Sequence, residues 1–178
     1  MSSESSRSPV PETLDAWRQV TARRGVEGRV PLASLRRLAS LLDAPDGEVT
    51  FSLEFDRDSL GIAYVEVRAE AELPLVCQRT LERFLLPVRI DQRMGLIREE
   101  ADEAGLPEEY EALLVDPSGE LRTLDVVEDE LILAVPVVPI SPDSQAVDKE
   151  WGGGGADDTA AEKPNPFAAL AALKKKPE

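Results

Sequence analysis

The chain has 178 residues and a formal net charge of −15, from 35 acidic and 20 basic side chains, with one cysteine and no histidine. So acidic a surface repels nucleic acid and anionic membranes over most of its area, and the missing histidines remove the commonest general base and metal ligand. One cysteine cannot form an internal disulfide, and the lack of a secretory signal or of an apolar run near the roughly 20 residues of a membrane span predicts a cytoplasmic protein without membrane contact.

The composition divides the chain into four parts. Residues 1–12 are Ser-rich, which predicts a disordered N-terminal tail. Residues 13–140 carry the periodic apolar patterns of one folded α+β domain. Residues 141–163, rich in Gly, Asp and Ser, predict a flexible acidic linker, and residues 164–178 form a short helix motif at the end.

The domain begins with a weak helix signal, in which Thr13 or Asp15 serves as the cap. A helix over 32–43 is predicted more clearly, because leucines recur there at helical spacing: Leu35, Leu38, Leu41 and Leu42. Apolar and polar residues then alternate in three successive segments, which predict strands over 49–55, 65–71 and 84–90. Short connections favour an antiparallel meander sheet with one apolar face, covered by flanking helices.

The segment from Arg98 to Glu130 carries thirteen acids and two bases. It predicts a solvated loop or lid with a short strand over 110–115. A helix follows, with Asp125 as its cap and its end at Ala134 or Val135, because the residue before a proline avoids helical geometry. The acidic motif in its early turns consists of Glu128, Asp129 and Glu130. These are either paired catalytic carboxylates or, more commonly at such positions, capping and solvated side chains.

A basic island lies between residues 17 and 37, where six arginines accompany one acid. The arginines are Arg18, Arg23, Arg24, Arg29, Arg36 and Arg37. One interpretation is a patch that contacts phosphates, since arginine forks suit phosphate oxygens. The other interpretation is that these arginines form ion pairs with the acidic segment 99–130 of the same chain. Both interpretations hold if RNA displaces that segment from the arginines.

The C-terminal motif reads NPFAALAALKKK. Asn165 is a favoured helix cap and Pro166 a favoured first helical residue, while Phe167, Leu170 and Leu173 share one face. About ten residues cannot hold a helix in water alone, so the motif is expected to form on docking, either onto this domain or into a partner's groove. The long linker separates the motif from this domain and therefore favours docking into a partner's groove.

Four segments together resemble one family. They read TLDAWRQVTARR, CQRTLERF…LPVRID, LPEEYEALLVDPSGELRTLDVVEDELILAVPVVPISP and KPNPFAALAALKK. In that order they resemble the YceD family, the large ribosomal RNA subunit accumulation proteins of bacteria and plastids. The resemblance runs from Thr13 to Lys175, and it implies a role in the synthesis, processing or stability of 23S ribosomal RNA. It names no catalytic residue.

This chain departs from the family pattern around its single cysteine. Many members have Cys-x-x-Cys where this chain has CQRT, and a His and a further Cys where it has ISPDSQAV. A zinc site needs about four such ligands, so we expect no metal and no cofactor here. Cys77 is then a small buried residue; a reactive thiol is disfavoured because no histidine stands by to lower its pKa.

These observations predict an α+β protein with a C-terminal linker and docking helix that acts without catalysis in ribosome biogenesis. Expected partners are ribosomal RNA or its precursor, and either a ribosomal protein or an RNA-processing enzyme; no small-molecule substrate is expected. The alternative is an acidic adaptor or chaperone that grips a basic large-subunit ribosomal protein through Glu128, Asp129 and Glu130 without touching RNA. A nuclease or metalloenzyme is disfavoured by the missing ligands.

Overall fold

The computed structural model describes residues 10–144. Its strands are β1 (Thr13–Asp15), β2 (Gly25–Pro31), β3 (Glu48–Arg57), β4 (Ala63–Val76), β5 (Arg83–Ile97), β6 (Glu111–Leu114) and β7 (Glu120–Arg122). Its α-helices are α1 (Ala16–Ala22), α2 (Arg36–Ala39) and α3 (Thr123–Ala134), and there are 3-10 turns at Leu32–Ser34 and Glu100–Gly105. The α+β class predicted from the sequence is confirmed.

The main sheet has five strands in the order β2-β3-β4-β5-β6. The first four strands pair antiparallel, and β6 lies parallel to β5 along the edge. The predicted meander of three strands is therefore present as β3, β4 and β5, and one further strand extends it on each side. β1 and β7 form a separate antiparallel pair, in which Leu14 faces Leu121.

The core lies on one face of the sheet, as the period-two patterns predicted. Val49, Phe51, Leu53 and Phe55 of β3 are at most 3% exposed, and their β4 neighbours Val65 and Val67 are fully buried. Burial of each such side chain stabilises the folded state by about 1.5–3 kcal/mol relative to leaving it exposed to water. Buried residues from all three α-helices join this same cluster: Ala16, Val20, Leu38, Val126, Val127 and Leu131. The helices therefore cover the apolar face of the sheet.

Strand β2 was not predicted. Its sequence, GVEGRVP, contains two glycines and a proline, which weaken a strand signal. The pairing nevertheless holds over its whole length, with Val26 opposite Leu53 and Val30 opposite Val49. A side chain at Gly28 would clash with Val10 Cγ2 and approach the Phe51 ring to 3.2 Å, so the glycine lets both side chains lie against the edge strand.

The single helix predicted over 32–43 is wrong. The segment forms a 3-10 turn and then the four-residue α2, with Leu35 between them at φ −89°, ψ 86°, outside helical geometry. Leu32, Leu35, Leu38 and Leu42 are buried all the same, whereas Leu41, which the predicted stripe included, is 48% exposed. The leucine spacing thus identified the buried side of the segment, while hydroxyl hydrogen bonds such as Ser34 Oγ to the carbonyl of Pro31 (2.6 Å) favour short turns over a continuous helix.

The helix ends are partly as predicted. Asp15 caps α1, because its carboxylate accepts a hydrogen bond from the amide of Arg18 at 3.0 Å. α3 ends at Ala134, as the following proline indicated, but Asp125 is not its cap: the helix begins at Thr123 and Asp125 lies in its first turn.

The short strand predicted over 110–115 is present as β6. Within residues 10–144, no helix is long and apolar enough to span a membrane.

Gly119 lies immediately before β7 and contacts the start of α1. Its carbonyl accepts a hydrogen bond from the amide of Ala16 at 2.9 Å, and its φ of +82° is one that L residues rarely adopt. An added Cβ would meet Trp17 Cδ1 at 2.9 Å and the capping Asp15 Oδ1 at 3.0 Å. A side chain at this position would therefore cost free energy in two ways, through backbone strain and through clashes with Trp17 and Asp15.

We expect Gly119→Ala to lower the free energy of unfolding by about 2–3 kcal/mol, which combines backbone strain with displacement of the Asp15 cap. Gly61→Ala is the matched control, because Gly61 has the same φ of +82° but open space around it. It should cost only about 1–2 kcal/mol of backbone strain. Urea denaturation measures both, and equal losses would show that the contacts at Gly119 add nothing.

Candidate functional site

The basic island is divided between the two sides of the sheet. Arg23 Nε lies 3.1 Å from Asp56 Oδ1, and Arg29 Nη1 lies 3.8 Å from Glu48 Oε2, with a further hydrogen bond from Arg29 to Thr50. Asp56 and Thr50 belong to the face of β3 that points away from the core. Both arginines are therefore matched internally, by acids outside segment 99–130.

Arg37 is held by the acidic motif. Its Nε and Nη2 each lie 2.9 Å from Glu128 Oε2, and its Nη1 pairs with Asp129. These contacts raise the pKa of the Arg37 guanidinium, chiefly through the hydrogen bond to Glu128. Arg37 is thus the arginine of the island that pairs with acids of segment 99–130, as the second interpretation of the island expected.

Glu128 has a structural position that the sequence did not reveal. Its side chain is 8% exposed, and its Oε1 accepts hydrogen bonds from the backbone amides of Arg37 (2.7 Å) and Leu38 (3.1 Å). Those amides belong to the N-terminal turn of α2, which has no side-chain cap of its own. Glu128 therefore caps a different helix from the one that carries it.

The other two acids of the motif lie in different surroundings. Asp129 is exposed and pairs with Arg37, whereas Glu130 is 8% exposed. Burial raises the pKa of the Glu130 carboxyl, and the nearby charges of Glu111 and Asp129 add to the rise. Glu128 and Asp129 thus share Arg37 as a partner, and Glu128 is fully engaged in hydrogen bonds that hold α2 against α3.

Three arginines of the island remain without an acidic partner among the described residues: Arg18, Arg24 and Arg36. All three are exposed. A fourth cation joins Arg18 on α1, because the guanidinium carbon of Arg98 lies 4.3 Å from the centre of the Trp17 ring. Arg98 was not recognisable as part of this group from the sequence, because it stands at the start of the acidic segment. Unmatched guanidinium groups of this kind are available to phosphate oxygens.

The polar face of the sheet carries a ladder of ion pairs between β4 and β5. Arg93 lies 3.3 Å from Glu66, Arg68 lies 3.6 Å from Asp91, and Arg89 pairs with Glu70 across the strands. Each pair is worth little on an exposed surface. Together they neutralise most of the arginines on this face, which makes it a poor phosphate-binding surface despite its cations.

Cys77 lies at the junction of two loops and is fully buried. The amide of Gln78 donates to the carbonyl of Pro139 at 2.8 Å, and the amide of Ser141 donates to Cys77 Sγ at 3.3 Å. The CQRT and ISPDSQAV segments, which the family resemblance linked to metal ligands, thus meet in space. No cluster of three or more potential metal ligands occurs among residues 10–144.

The environment of Cys77 corrects one step of the sequence argument. The hydrogen bond from the Ser141 amide, with smaller contributions from Thr80 and Arg79, lowers the pKa of the thiol to about 6, although burial acts in the opposite direction. Backbone amides and the Thr80 hydroxyl therefore lower the thiol pKa, as a nearby histidine would otherwise do. Burial still protects the sulfur from external reagents.

This pKa gives the stability a pH dependence. The folded-state pKa lies below the ordinary thiol value of about 8.5, so the thiolate favours the folded state. The contribution is fully present above the unfolded pKa and is lost as the pH falls through 6. We expect the difference in unfolding free energy between the parent and Cys77→Ala to grow from pH 6 to pH 9, as measured by urea denaturation. A difference that stays constant would contradict a lowered pKa.

The C-terminal docking residues lie outside the described residues: Asn165, Pro166, Phe167, Leu170 and Leu173. Their role stays a prediction from the sequence.

Comparison with known proteins bears on the family. The model of the family described as "Large ribosomal RNA subunit accumulation protein YceD" matches residues 65–174. A curated protein of Haemophilus influenzae with that same description is 32% identical over 171 residues, which cover 94% of this chain and 97% of that protein. No solved structure matches the chain significantly. The resemblance seen in the sequence motifs is confirmed, and the chain belongs to the YceD family of large ribosomal RNA subunit accumulation proteins.

Proposed function

We propose that this protein is a non-catalytic, cytoplasmic ribosome-biogenesis factor that supports accumulation of 23S ribosomal RNA by binding its precursor. The family name ties its members to large-subunit ribosomal RNA. The observation that carries the RNA contact is the set of exposed arginines without acidic partners among residues 10–144: Arg18, Arg24 and Arg36. In a chain of net charge −15, unpaired cations of this kind concentrate the attraction for phosphates.

The surroundings of the acidic motif support a non-catalytic role for Glu128, Asp129 and Glu130. A general acid or base needs a carboxylate that is free to reach a substrate. Glu128 is occupied by two backbone amides and by Arg37, and Asp129 shares the same arginine. Glu130 is the remaining acid of the motif, and it is largely buried.

Capture from cells tests this proposal directly. The tagged protein is purified from growing cells in two arms, with and without RNase, and the bound RNA and proteins are identified. We expect precursor 23S ribosomal RNA in the untreated arm and its loss after RNase. Recovery of a basic large-subunit ribosomal protein in equal amounts from both arms, with no RNA in either, would instead establish the adaptor function.

The C-terminal motif is proposed to bind a protein partner in the same pathway. We expect deletion of residues 164–178 to lower 23S ribosomal RNA strongly in cells that depend on this protein, and Phe167→Ala with Leu170→Ala to reproduce the defect. Ala168→Ser with Ala171→Ser is a control that keeps the large apolar side chains. Quantitative northern analysis measures the result, and normal 23S levels after the deletion would refute partner docking.

A further inference from the structure

An exposed apolar surface lies where α3 ends and the chain continues along the loop that carries Cys77. The twelve residues from Leu131 to Pro142 contain no charged side chain, in a chain that is 31% charged. Several large apolar side chains there are exposed to solvent: Leu133 by 74%, Val137 by 99%, Val138 by 57% and Ile140 by 46%. Exposed apolar side chains that recur along one charge-free segment in this way indicate an interaction surface.

The neighbouring loop adds one more apolar side chain. Leu81 is 77% exposed, and its amide closes the loop by donating to the carbonyl of Cys77 at 2.8 Å. The same loop is joined to Pro139 by the amide of Gln78. We call the set of Leu81, Leu133, Val137, Val138 and Ile140 the end patch.

The backbone beneath the end patch is fixed. Three prolines restrict it: Pro136, Pro139 and Pro142. The Ser141 amide is bound to Cys77 Sγ, and Arg79 Nη1 donates to the carbonyl of Ser144 at 3.2 Å. A surface that is already rigid loses little conformational entropy on binding, which favours affinity.

Charge indicates the kind of partner. Glu82 and Asp143 flank the end patch and are exposed, and neither has a cationic partner within 4 Å among the described residues. Arg79, in the same loop as Glu82, directs its guanidinium to the carbonyl of Ser144 instead. A second copy of this chain would bring a further net charge of −15 to this surface, which opposes self-association.

We propose that the end patch binds a basic, amphipathic protein segment. Its apolar side chains would cover Leu133, Val137 and their neighbours, while its Lys or Arg residues would face Glu82 and Asp143. This surface shares no residue with the arginines assigned to RNA, so the inference goes beyond the proposed RNA contact and can fail independently of it.

A synthetic peptide of leucine and lysine at helical spacing serves as the probe, with a leucine–glutamate peptide of the same pattern as its counterpart. Fluorescence anisotropy measures binding to the full chain. We expect the lysine peptide to bind and Leu133→Ser with Val137→Ser to weaken it about tenfold. Leu60→Ser should leave the affinity unchanged, because Leu60 is 77% exposed but lies in the β3–β4 turn. Glu82→Gln with Asp143→Asn should also weaken binding, whereas Glu108→Gln with Glu109→Gln should have little effect.

Several outcomes would overturn the proposal. Unchanged affinity in the Leu133 and Val137 double variant would place the peptide elsewhere, and equal loss in Leu60→Ser would show general adhesion to exposed leucine. Equal binding of the leucine–glutamate peptide would remove the charge argument. Sedimentation of the peptide-free protein as a dimer that the double variant abolishes would assign the patch to a second copy. The substituted side chains are exposed, and thermal melting of each variant verifies that the fold is retained.

Discussion

Replacing Glu128 by Ala is expected to lower the free energy of unfolding by about 2–3 kcal/mol. The substitution leaves the amides of Arg37 and Leu38 without their acceptor, and Leu38 is fully buried. An unsatisfied buried donor costs about 1–3 kcal/mol, and removal of one partner from a buried ion pair costs more. The guanidinium of Arg37 is half exposed, so water replaces part of what it loses, which keeps the estimate below that for a fully buried pair.

Asp129→Asn provides the matched control for Glu128→Ala. It removes a carboxylate one position away that touches the same arginine but accepts no backbone amide. We expect a loss below about 1 kcal/mol for it, as for other exposed ion pairs. Urea denaturation of both variants makes the comparison, and similar losses would show that the backbone hydrogen bonds of Glu128 contribute nothing beyond its charge.

Replacing Arg18, Arg24 and Arg36 together by Gln is expected to weaken binding of precursor 23S ribosomal RNA by about 100-fold at physiological salt. Each arginine removes one phosphate contact and the counterion release that accompanies it. The slope of log affinity against log salt should fall by about 2, from roughly 0.7 per lost contact. Gln keeps the polar character of the side chain without its charge, and all three positions are exposed, so the fold should be unaffected.

The control uses arginines that already have internal partners. Arg23→Gln, Arg29→Gln and Arg89→Gln remove the same total charge from side chains paired with Asp56, Glu48 and Glu70. We expect a markedly smaller loss of affinity. Filter-binding titrations over a series of salt concentrations measure both triple variants. If the two triple variants lose RNA affinity equally, the affinity depends on net charge alone and no local binding site is involved.

The sequence predicted the central strands because their pattern is set by burial. β3 alternates throughout and β4 alternates up to Leu73, and the buried set, from Val49 to Phe55 and from Val65 to Ala71, is the one that the pattern indicated. Strand β2 could not be recognised, since its pairing with β3 depends on backbone hydrogen bonds that glycine forms as well as any residue. The broken segment at 32–43 shows the opposite case: the leucine spacing was informative about burial but not about helix continuity.

The candidate site was harder to predict than the fold, because its contacts join distant parts of the chain. Six arginines could be counted, but their partners could not be assigned: Arg37 meets Glu128, 91 residues away. The pKa of Cys77 is likewise lowered chiefly by the amide of Ser141, 64 residues distant, with smaller contributions from its sequence neighbours Arg79 and Thr80. Local patterns carry no information on such pairs, and they emerge only from the tertiary structure.

The pairing of β1 with β7 has a consequence for synthesis of the chain. Residues 13–15 bond to residues 120–122, and the amide of Thr123 donates to the carbonyl of Glu12. During translation, the first segment therefore leaves the ribosome more than a hundred residues before its pairing strand exists. The meander can fold earlier, because its strands are neighbours in the sequence. The helix bearing Trp17 and Arg18 can already pack on β3 and β4, but β1 lacks its pairing strand until β7 has emerged, so pairing of this N-terminal segment is a late step of cotranslational folding.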